Sequence, residues 1–269
     1  MDKSTPSGLQ TPARGGRLPV PDIIIGGAPR SGTTFLCELL GKHPHVFLAR
    51  PIAPEPKVCL TPHPDGNAGL LARYATFFAT APANSVRIEK TANYLENDEG
   101  RDRLAGLMLD TRFVFILREP VARAYSNWLW SRKNGLETLP FPDAIALEGK
   151  RISPLPPERA SARPFDYMLR GRYGTLVQPW IEAFGRDRIA FYLFEHAIAE
   201  PESFVNELQT FIGVEPLPWS MLETGRVNET EDDPVGLDPT LKKQLRERAR
   251  PEVERFAAIT GIDVSVWGY

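Results

Sequence analysis

A glycine turn between an apolar run and a segment with a helical apolar stripe constrains this 269-residue chain more than any other feature. Residues 23–25 are three isoleucines, and an all-apolar β-branched run is typical of a strand buried on both faces of a parallel sheet. Gly27 and Gly32 follow, and then come apolar residues at helical spacing: Phe35, Leu36, Leu39 and Leu40. A strand, a turn and a helix in this order direct backbone N–H groups and a positive helix end to one point, which favours phosphate binding.

The positively charged residue of this turn occupies a different position from the lysine of a nucleoside triphosphatase. Gly27 and Gly32 have the spacing of that class of phosphate loop, but Thr33 occupies the position of its lysine. Hydrolysis of a nucleoside triphosphate is therefore disfavoured. Arg30 lies inside the turn instead, and its planar guanidinium can hold a phosphate by two hydrogen bonds. The alternative is an ordinary strand-to-helix connection with a surface arginine.

Strand and helix signals alternate along the rest of the chain. Apolar runs at 112–117 and 189–194 and a shorter one at 85–90 are separated by helical patterns such as 201–212. This alternation predicts an α/β fold, in which one domain over residues 21–269 has a central parallel sheet flanked by helices and a phosphate-loop-like nucleotide-binding core.

Four segments depart from this pattern. Residues 1–20 are polar and rich in Pro and Gly, so we expect a flexible tail. The proline-dense segment up to Pro64 is predicted to be loop, and residues 137–165 are predicted to be a long flexible excursion on the substrate side, a candidate lid. The final charged stretch, 239–261, predicts an amphipathic helix interrupted at Pro251.

Composition excludes several classes of protein. The net charge of -2, from 32 Lys and Arg against 34 Asp and Glu, provides no global field for nucleic acid. Two cysteines and four histidines form neither a disulfide scaffold nor a zinc pattern, so we expect no metal site. No run of about 18 apolar residues predicts a membrane span, and the N-terminus does not resemble a signal peptide, so we expect a cytoplasmic protein.

A second candidate phosphate site follows the strand at 112–117. Arg118 lies at the strand tip and Ser126 lies two turns into the helix predicted after Pro120. Both can converge on one phosphate at the carboxyl end of the sheet, where such folds bind ligands. The alternatives are an ion pair of Arg118 with Glu119 or another neighbour, and a helical serine without a role.

Together, the segments 27–34 and 115–126 resemble the PAPS-dependent sulfotransferases, which transfer a sulfuryl group from 3'-phosphoadenosine 5'-phosphosulfate (PAPS) to an acceptor. The resemblance implies that the 3'-phosphate contacts Arg118 and Ser126. It also implies a loop for the 5'-phosphosulfate, made of Gly27, Arg30, Ser31, Gly32, Thr33 and Thr34.

The resemblance is strongest to the branch that includes heparan sulfate, Nod-factor and tyrosylprotein enzymes. The segments 43–47, 54–57 and 89–94 are similar to blocks of that branch, and Arg172 with Tyr173 resembles a segment that helps to hold the nucleotide. One departure is the acidic stretch 227–233, where the branch often has a glycine-rich basic loop.

The chemistry implied is transfer to a hydroxyl group of a carbohydrate, a glycolipid or a natural-product alcohol. Glu55 matches the acid of the family and is our predicted general base, with His43, His45 and His63 as alternatives. Lys90 is predicted to contact the sulfuryl group or the acceptor, unless it is an exposed lysine paired with Glu89. Arg30 with the loop amides would stabilise the leaving phosphate, so no metal is required. A small-molecule kinase and a non-catalytic nucleotide-binding module remain competing interpretations.

Overall fold

The fold is built on a five-stranded parallel sheet. The computed structural model describes residues 18–107, 109–223 and 236–269. The strand order is β2-β3-β1-β4-β5, and every neighbouring pair is parallel, which confirms the predicted fold class. The strands are β1 (Ile23–Gly27), β2 (Val46–Leu48), β3 (Val86–Lys90), β4 (Arg112–Leu117) and β5 (Ile189–Leu193).

Helices cover both faces of the sheet, and the three isoleucines of β1 show why. Successive strand residues point to opposite faces, so Ile24 packs with one helical layer and Ile23 and Ile25 pack with the other; all three are fully buried. The α-helices are α1 (Thr33–Leu40), α2 (Gly66–Phe78), α3 (Asp98–Gly106), α4 (Pro120–Lys133), α5 (Phe141–Ala146), α6 (Tyr173–Phe184), α7 (Phe194–Ala199), α8 (Pro201–Ile212), α9 (Trp219–Leu222) and α10 (Pro239–Thr260).

The carboxyl edge of the sheet brings the predicted motifs together. The neighbouring strands β3, β1 and β4 end at Lys90, Gly27 and Leu117, respectively. Because parallel strands end at the same edge, the glycine turn, Lys90 and Arg118 become neighbours although they are far apart in sequence.

Two local predictions were wrong. Val46–Leu48 lies in the segment predicted to be loop, yet it pairs with residues 86–88 as edge strand β2. The helix predicted to be interrupted at Pro251 is continuous from Pro239 to Thr260. Proline removes one helical hydrogen bond, but Leu245 and Ala249 before it and Val253 after it are buried. Packing on both sides of the proline therefore holds the helix together.

The segment 137–165 contains ordered elements in addition to loops. It includes α5 and a 3-10 helix, Pro157–Ala162. The carboxylate of Glu137 accepts hydrogen bonds at 2.6 Å from both Tyr167 and Arg151, which anchors the segment. Its closure over a substrate stays a prediction. Residues 1–17 of the predicted tail and the acidic stretch 227–233 lie outside the described residues.

Candidate functional site

The turn after β1 requires glycine because it passes close to other side chains. Gly32 has a φ of 93°, and a Cβ atom there would lie 2.7 Å from the ring of Phe194. A Cβ atom on Gly27 would lie 2.9 Å from the Cβ of Leu95. Arg30 also has a left-handed backbone, with a φ of 67°, which is strained for a residue with a side chain. The turn thus holds Arg30 in a fixed, unfavourable conformation, as functional loops often do.

Helix α1 begins inside this turn without a side-chain cap. Its N-cap residue is Gly32, which offers no acceptor to the first-turn amides. Thr33 and Thr34 are the first two residues of the helix, and both line the adjacent cavity. The amides, the hydroxyl groups and the positive end of the helix are therefore available to an anion.

Two arginines, Arg30 and Arg118, meet at this point. The Arg30 Nε donates to the Ser126 Oγ at 3.2 Å, which joins the glycine turn to α4. Burial and the positive charge of Arg118 both lower the pKa of Arg30. The guanidinium of Arg118 lies over the ring of Phe194, 5.3 Å from its centroid. Within the described residues neither arginine has an ion pair with a carboxylate, so the pair creates a local positive field that an anion would neutralise.

Glu55 and Lys90 form an ion pair beside the same turn. Their Oε1 and Nζ atoms are 2.9 Å apart, and the side chains are 16% and 7% exposed. The Lys90 Nζ also donates to the Thr34 Oγ1 at 3.2 Å. The other carboxylate oxygen of Glu55 accepts from the amide of Ala92 at 3.2 Å. Lys90 therefore links the anion-binding turn to the carboxylate predicted to act as base, and it is neither exposed nor paired with Glu89.

A cavity of about 360 Å³ is shared by Arg30, Glu55 and Lys90, whereas Arg118 and Ser126 are not among the residues that line it. A second cavity of about 480 Å³ adjoins it, and Lys57 and Asn93 line both. The residues that line the first include Pro29, Arg30, Thr33, Thr34, Pro54, Glu55, Lys90, Asn93, Asn127, Trp130, Ala162 and Arg170.

The structure places Arg172 and Tyr173 differently from the other predicted site residues. Arg172 has a side chain that is 51% exposed and pairs with Glu252 of α10 at 3.2 Å. Tyr173 is fully buried, and its hydroxyl donates to the backbone oxygen of Arg118 at 2.9 Å. Ser31 is also fully buried, beside that hydroxyl. Tyr173 and Ser31 thus lie beneath the turn, whereas Arg172 faces α10.

None of the three candidate histidines lines the first cavity. His43 is 2% exposed; its Nδ1 accepts from the amide of His45, and its Nε2 lies 3.0 Å from the backbone oxygen of Glu215. The His63 Nδ1 accepts from the amide of Asp65. The rings of His43 and His63 are therefore engaged elsewhere, and His45 is exposed outside the cavity lining.

Three residues at the site were missed by the sequence analysis: Phe194, Asn127 and Arg170. Phe194 supports both the glycine turn and Arg118, and Asn127 and Trp130 line the cavity from α4. Arg170 binds Glu96 through two hydrogen bonds of 2.6 and 2.7 Å, and both side chains are almost fully buried. Arg170 and Glu96 lie 74 positions apart, and no local signal marks such a pair.

Comparison with family profiles identifies the family of the chain. The sulfotransferase domain profile matches residues 103–255, more than half of the chain, and the sulfotransferase family profile matches residues 21–65. The chain belongs to the sulfotransferase family. The two matches together cover the glycine turn, Glu55, Arg118 and Ser126.

Relatives of this sulfotransferase are distant in sequence. Mouse (Mus musculus) heparan sulfate glucosamine 3-O-sulfotransferase 6 is 26% identical over 208 residues, which cover 77% of this chain and 56% of that protein. Mouse heparan sulfate glucosamine 3-O-sulfotransferase 3B1 is 23% identical over 199 residues, or 74% and 47% of the two chains. This sulfotransferase thus spans about half the length of these curated relatives.

A solved structure matches nearly the whole sulfotransferase chain. The sulfotransferase from Alicyclobacillus acidocaldarius superposes with a TM-score of 0.72 at 23% identity, covering 93% of this chain and 99% of that one. This match confirms the fold. In the described part of the chain, no helix is long and apolar enough to cross a membrane, and no cluster of three or more His, Cys, Asp or Glu could hold a metal.

Proposed function

We propose that this sulfotransferase transfers a sulfuryl group from PAPS to a hydroxyl group of a small acceptor, with Glu55 as the general base. The observation that carries the proposal is the arrangement of Arg30 and Arg118, which have no carboxylate partner among the described residues, next to the Glu55–Lys90 pair. An anion site and a carboxylate share one cavity wall, as transfer from an anionic donor requires.

The residues present fit a donor that has phosphates at two positions. The glycine turn with the N-terminus of α1 would hold the 5'-phosphosulfate, through Arg30, Thr33 and Thr34. Arg118 and Ser126 would hold the 3'-phosphate. Arg30 already bonds Ser126, so the two sites are contiguous. The partly buried guanidinium pair, which has no carboxylate partner among the described residues, supports this assignment.

The side chains then have complementary roles. PAPS, when bound, supplies the sulfuryl group and a phosphate as leaving group. Glu55 takes the proton of the acceptor hydroxyl at a carboxylate oxygen, which raises the nucleophilicity of that hydroxyl. Lys90 orients the carboxylate and provides a positive charge between Glu55 and Thr34. Arg30 and the first-turn amides of α1 stabilise the negative charge that develops on the leaving phosphate.

Carbohydrates are the first acceptors to test. The curated relatives are named for heparan sulfate glucosamine, and the cavity beside Glu55 shares Lys57 and Asn93 with a second one, whose lining residues are mostly polar or charged. Glycolipids and natural-product alcohols complete the panel. A transfer assay with labelled PAPS against this panel would identify the acceptor.

Two other functions predict different results in that assay. A small-molecule kinase would turn over ATP and ignore PAPS, although Thr33 at the lysine position argues against it. A non-catalytic nucleotide-binding module would bind the nucleotide and transfer nothing to any acceptor. Labelled product that forms only with PAPS excludes both.

Binding of the product nucleotide gives the first test of the proposal. We expect 3'-phosphoadenosine 5'-phosphate (PAP) to raise the melting temperature, because a ligand that binds only the folded state stabilises it by mass action. The measurement is thermal unfolding with increasing PAP, and AMP, which lacks the 3'-phosphate, is the matched control. No shift at millimolar PAP would overturn the nucleotide assignment.

A further inference from the structure

The carboxylate of Glu89 is fully enclosed on the core side of β3. Successive strand residues point to opposite faces, so Lys90 faces the cavity while Glu89 faces the core with no exposed surface. A buried carboxylate normally pairs with a cation. Here three hydroxyl groups donate to it instead, at 2.8 Å from Tyr74, 2.8 Å from Thr91 and 3.1 Å from Tyr94. Glu89 is therefore the common acceptor of a buried hydroxyl cluster.

Two of these hydroxyl oxygens also hold the chain that follows Glu55. The amide of Lys57 donates to the Thr91 Oγ1 at 3.0 Å. The amide of Cys59 donates to the Tyr94 Oη, also at 3.0 Å. The segment 57–59, which begins two residues after Glu55, is thus tied to Glu89 through two hydroxyl groups.

The charge of Glu89 sets the direction of these bonds. A hydroxyl group has one hydrogen, and an ionised carboxylate can only accept. Thr91 and Tyr94 therefore use their hydrogens on Glu89, and their oxygens face the amides as acceptors. A protonated carboxyl or a carboxamide can donate, which would turn one hydroxyl around and weaken its bond to an amide.

We propose that Glu89 is a positioning residue for sulfuryl transfer, which orients Thr91 and Tyr94 to hold residues 57–59 and so keeps Glu55 against Lys90. The distances of Glu55 to the Lys90 Nζ, 2.9 Å, and to the amide of Ala92, 3.2 Å, depend on this segment staying in place. The inference rests on the proposed role of Glu55 as base, and it adds a residue that touches neither donor nor acceptor.

The protonation of Glu89 makes this positioning of residues 57–59 depend on pH. Burial raises the pKa of this carboxyl to about 7, although the three hydroxyl bonds act to lower it, and the charge of Glu55 raises it further. Burial also raises the pKa values of Tyr74, Tyr94 and Cys59, which stay protonated near neutral pH. The titratable and charged groups around the cluster include those of Tyr74, Tyr94, Cys59, Glu55 and Arg73, and Arg103 donates to the backbone oxygens of Cys59 and Leu60.

The sign of this dependence differs between activity and stability. As pH rises through about 7, Glu89 ionises and orients the hydroxyls, so kcat should rise. Over the range from about 4.5 to 7 the folded state binds the Glu89 proton more tightly than the unfolded chain does, so its contribution to stability is lost as pH rises. If Glu89 only stabilised the fold, kcat would instead fall together with stability as pH rises.

Hydrogen–deuterium exchange on the free protein tests the network without an acceptor. We expect Glu89→Gln to accelerate exchange of the Lys57 and Cys59 amides about fivefold, as expected for the loss of one hydrogen bond. Tyr94→Phe removes the acceptor of the Cys59 amide and should accelerate exchange of that amide. Tyr74→Phe is the matched control, because its hydroxyl bonds Glu89 but neither amide. Unchanged exchange in both Glu89→Gln and Tyr94→Phe would overturn the proposal.

Kinetics test the consequence for transfer. We expect Glu89→Gln to lower kcat on the order of 10-fold or more, with PAP affinity and the KM for PAPS unchanged, and to lose the rise in kcat between pH 6 and 8. Tyr94→Phe should lower kcat more than Tyr74→Phe. If the wild-type protein binds PAP and transfers nothing, the proposed function fails. An active wild type with an equally active Glu89→Gln variant would overturn the positioning role alone.

Discussion

Glu55→Gln is expected to lower the rate of sulfuryl transfer about 100-fold or more while the affinity for PAP stays unchanged. Glutamine keeps the shape of the side chain and can still accept a hydrogen bond from Lys90 or from the Ala92 amide. It cannot take the proton of the acceptor hydroxyl. The loss should therefore appear in kcat, and the measurement is steady-state transfer from labelled PAPS with PAP affinity determined in parallel.

The matched control for this variant is Glu38→Gln. Glu38 is an exposed carboxylate on α1, close in sequence to the site but outside the cavity lining. The Glu38→Gln variant should transfer the sulfuryl group at the wild-type rate. Near-wild-type turnover by Glu55→Gln would show that Glu55 is not the general base. A histidine would then be the remaining candidate, and His43 or His63 would have to leave the contacts described above.

Arg118→Ala should weaken PAP binding about 10- to 100-fold, because a hydrogen bond to a charged group contributes on the order of 1.5–3 kcal/mol. The stability of the free protein should not decrease. Arg118 lowers the pKa of its neighbour Arg30, so its removal relieves a like-charge repulsion in the free protein. We therefore expect the melting temperature without nucleotide to be equal or higher, and the increase caused by PAP to shrink.

Two further variants sharpen this test. Lys243→Ala removes an exposed positive charge on α10 and should leave PAP affinity unchanged. Arg118→Lys keeps the charge but loses the planar fork, so its affinity should be intermediate. If Arg118→Ala binds PAP as tightly as the wild type, the arginine pair is not the 3'-phosphate site.

The placement of Arg30, Arg118 and Ser126 at one edge of the sheet could be anticipated from local patterns and one topological rule. Glycine spacing marked the turn, an apolar run marked the strand before Arg118, and parallel strands end at a common edge. The structure adds a contact that was not predicted, the Arg30–Ser126 hydrogen bond. It also shows the absence of a carboxylate partner within the described residues, which the sequence alternative of an Arg118–Glu119 pair did not anticipate.

The partner of Lys90 could not be read from the sequence. Its neighbour Glu89 was the obvious candidate, but alternation along β3 sends the two side chains to opposite faces of the sheet. Lys90 meets Glu55 instead, 35 positions earlier in the chain, and Glu89 meets three hydroxyl groups in the core. Arg172 was similarly placed in the site by resemblance, whereas the packing of α6 against α10 directs it to Glu252.

The sequence by itself determined the elements whose cause is local: the strand of three isoleucines, the glycine turn that only glycine can form, and a helix start open to an anion. Tertiary structure decided which charges pair and which stay unpaired, because ion pairs and buried hydrogen bonds depend on the faces that packing brings together. Edge strand β2, the continuity of α10 through Pro251 and the enclosure of Glu89 all follow from such long-range contacts, which no short window of sequence contains.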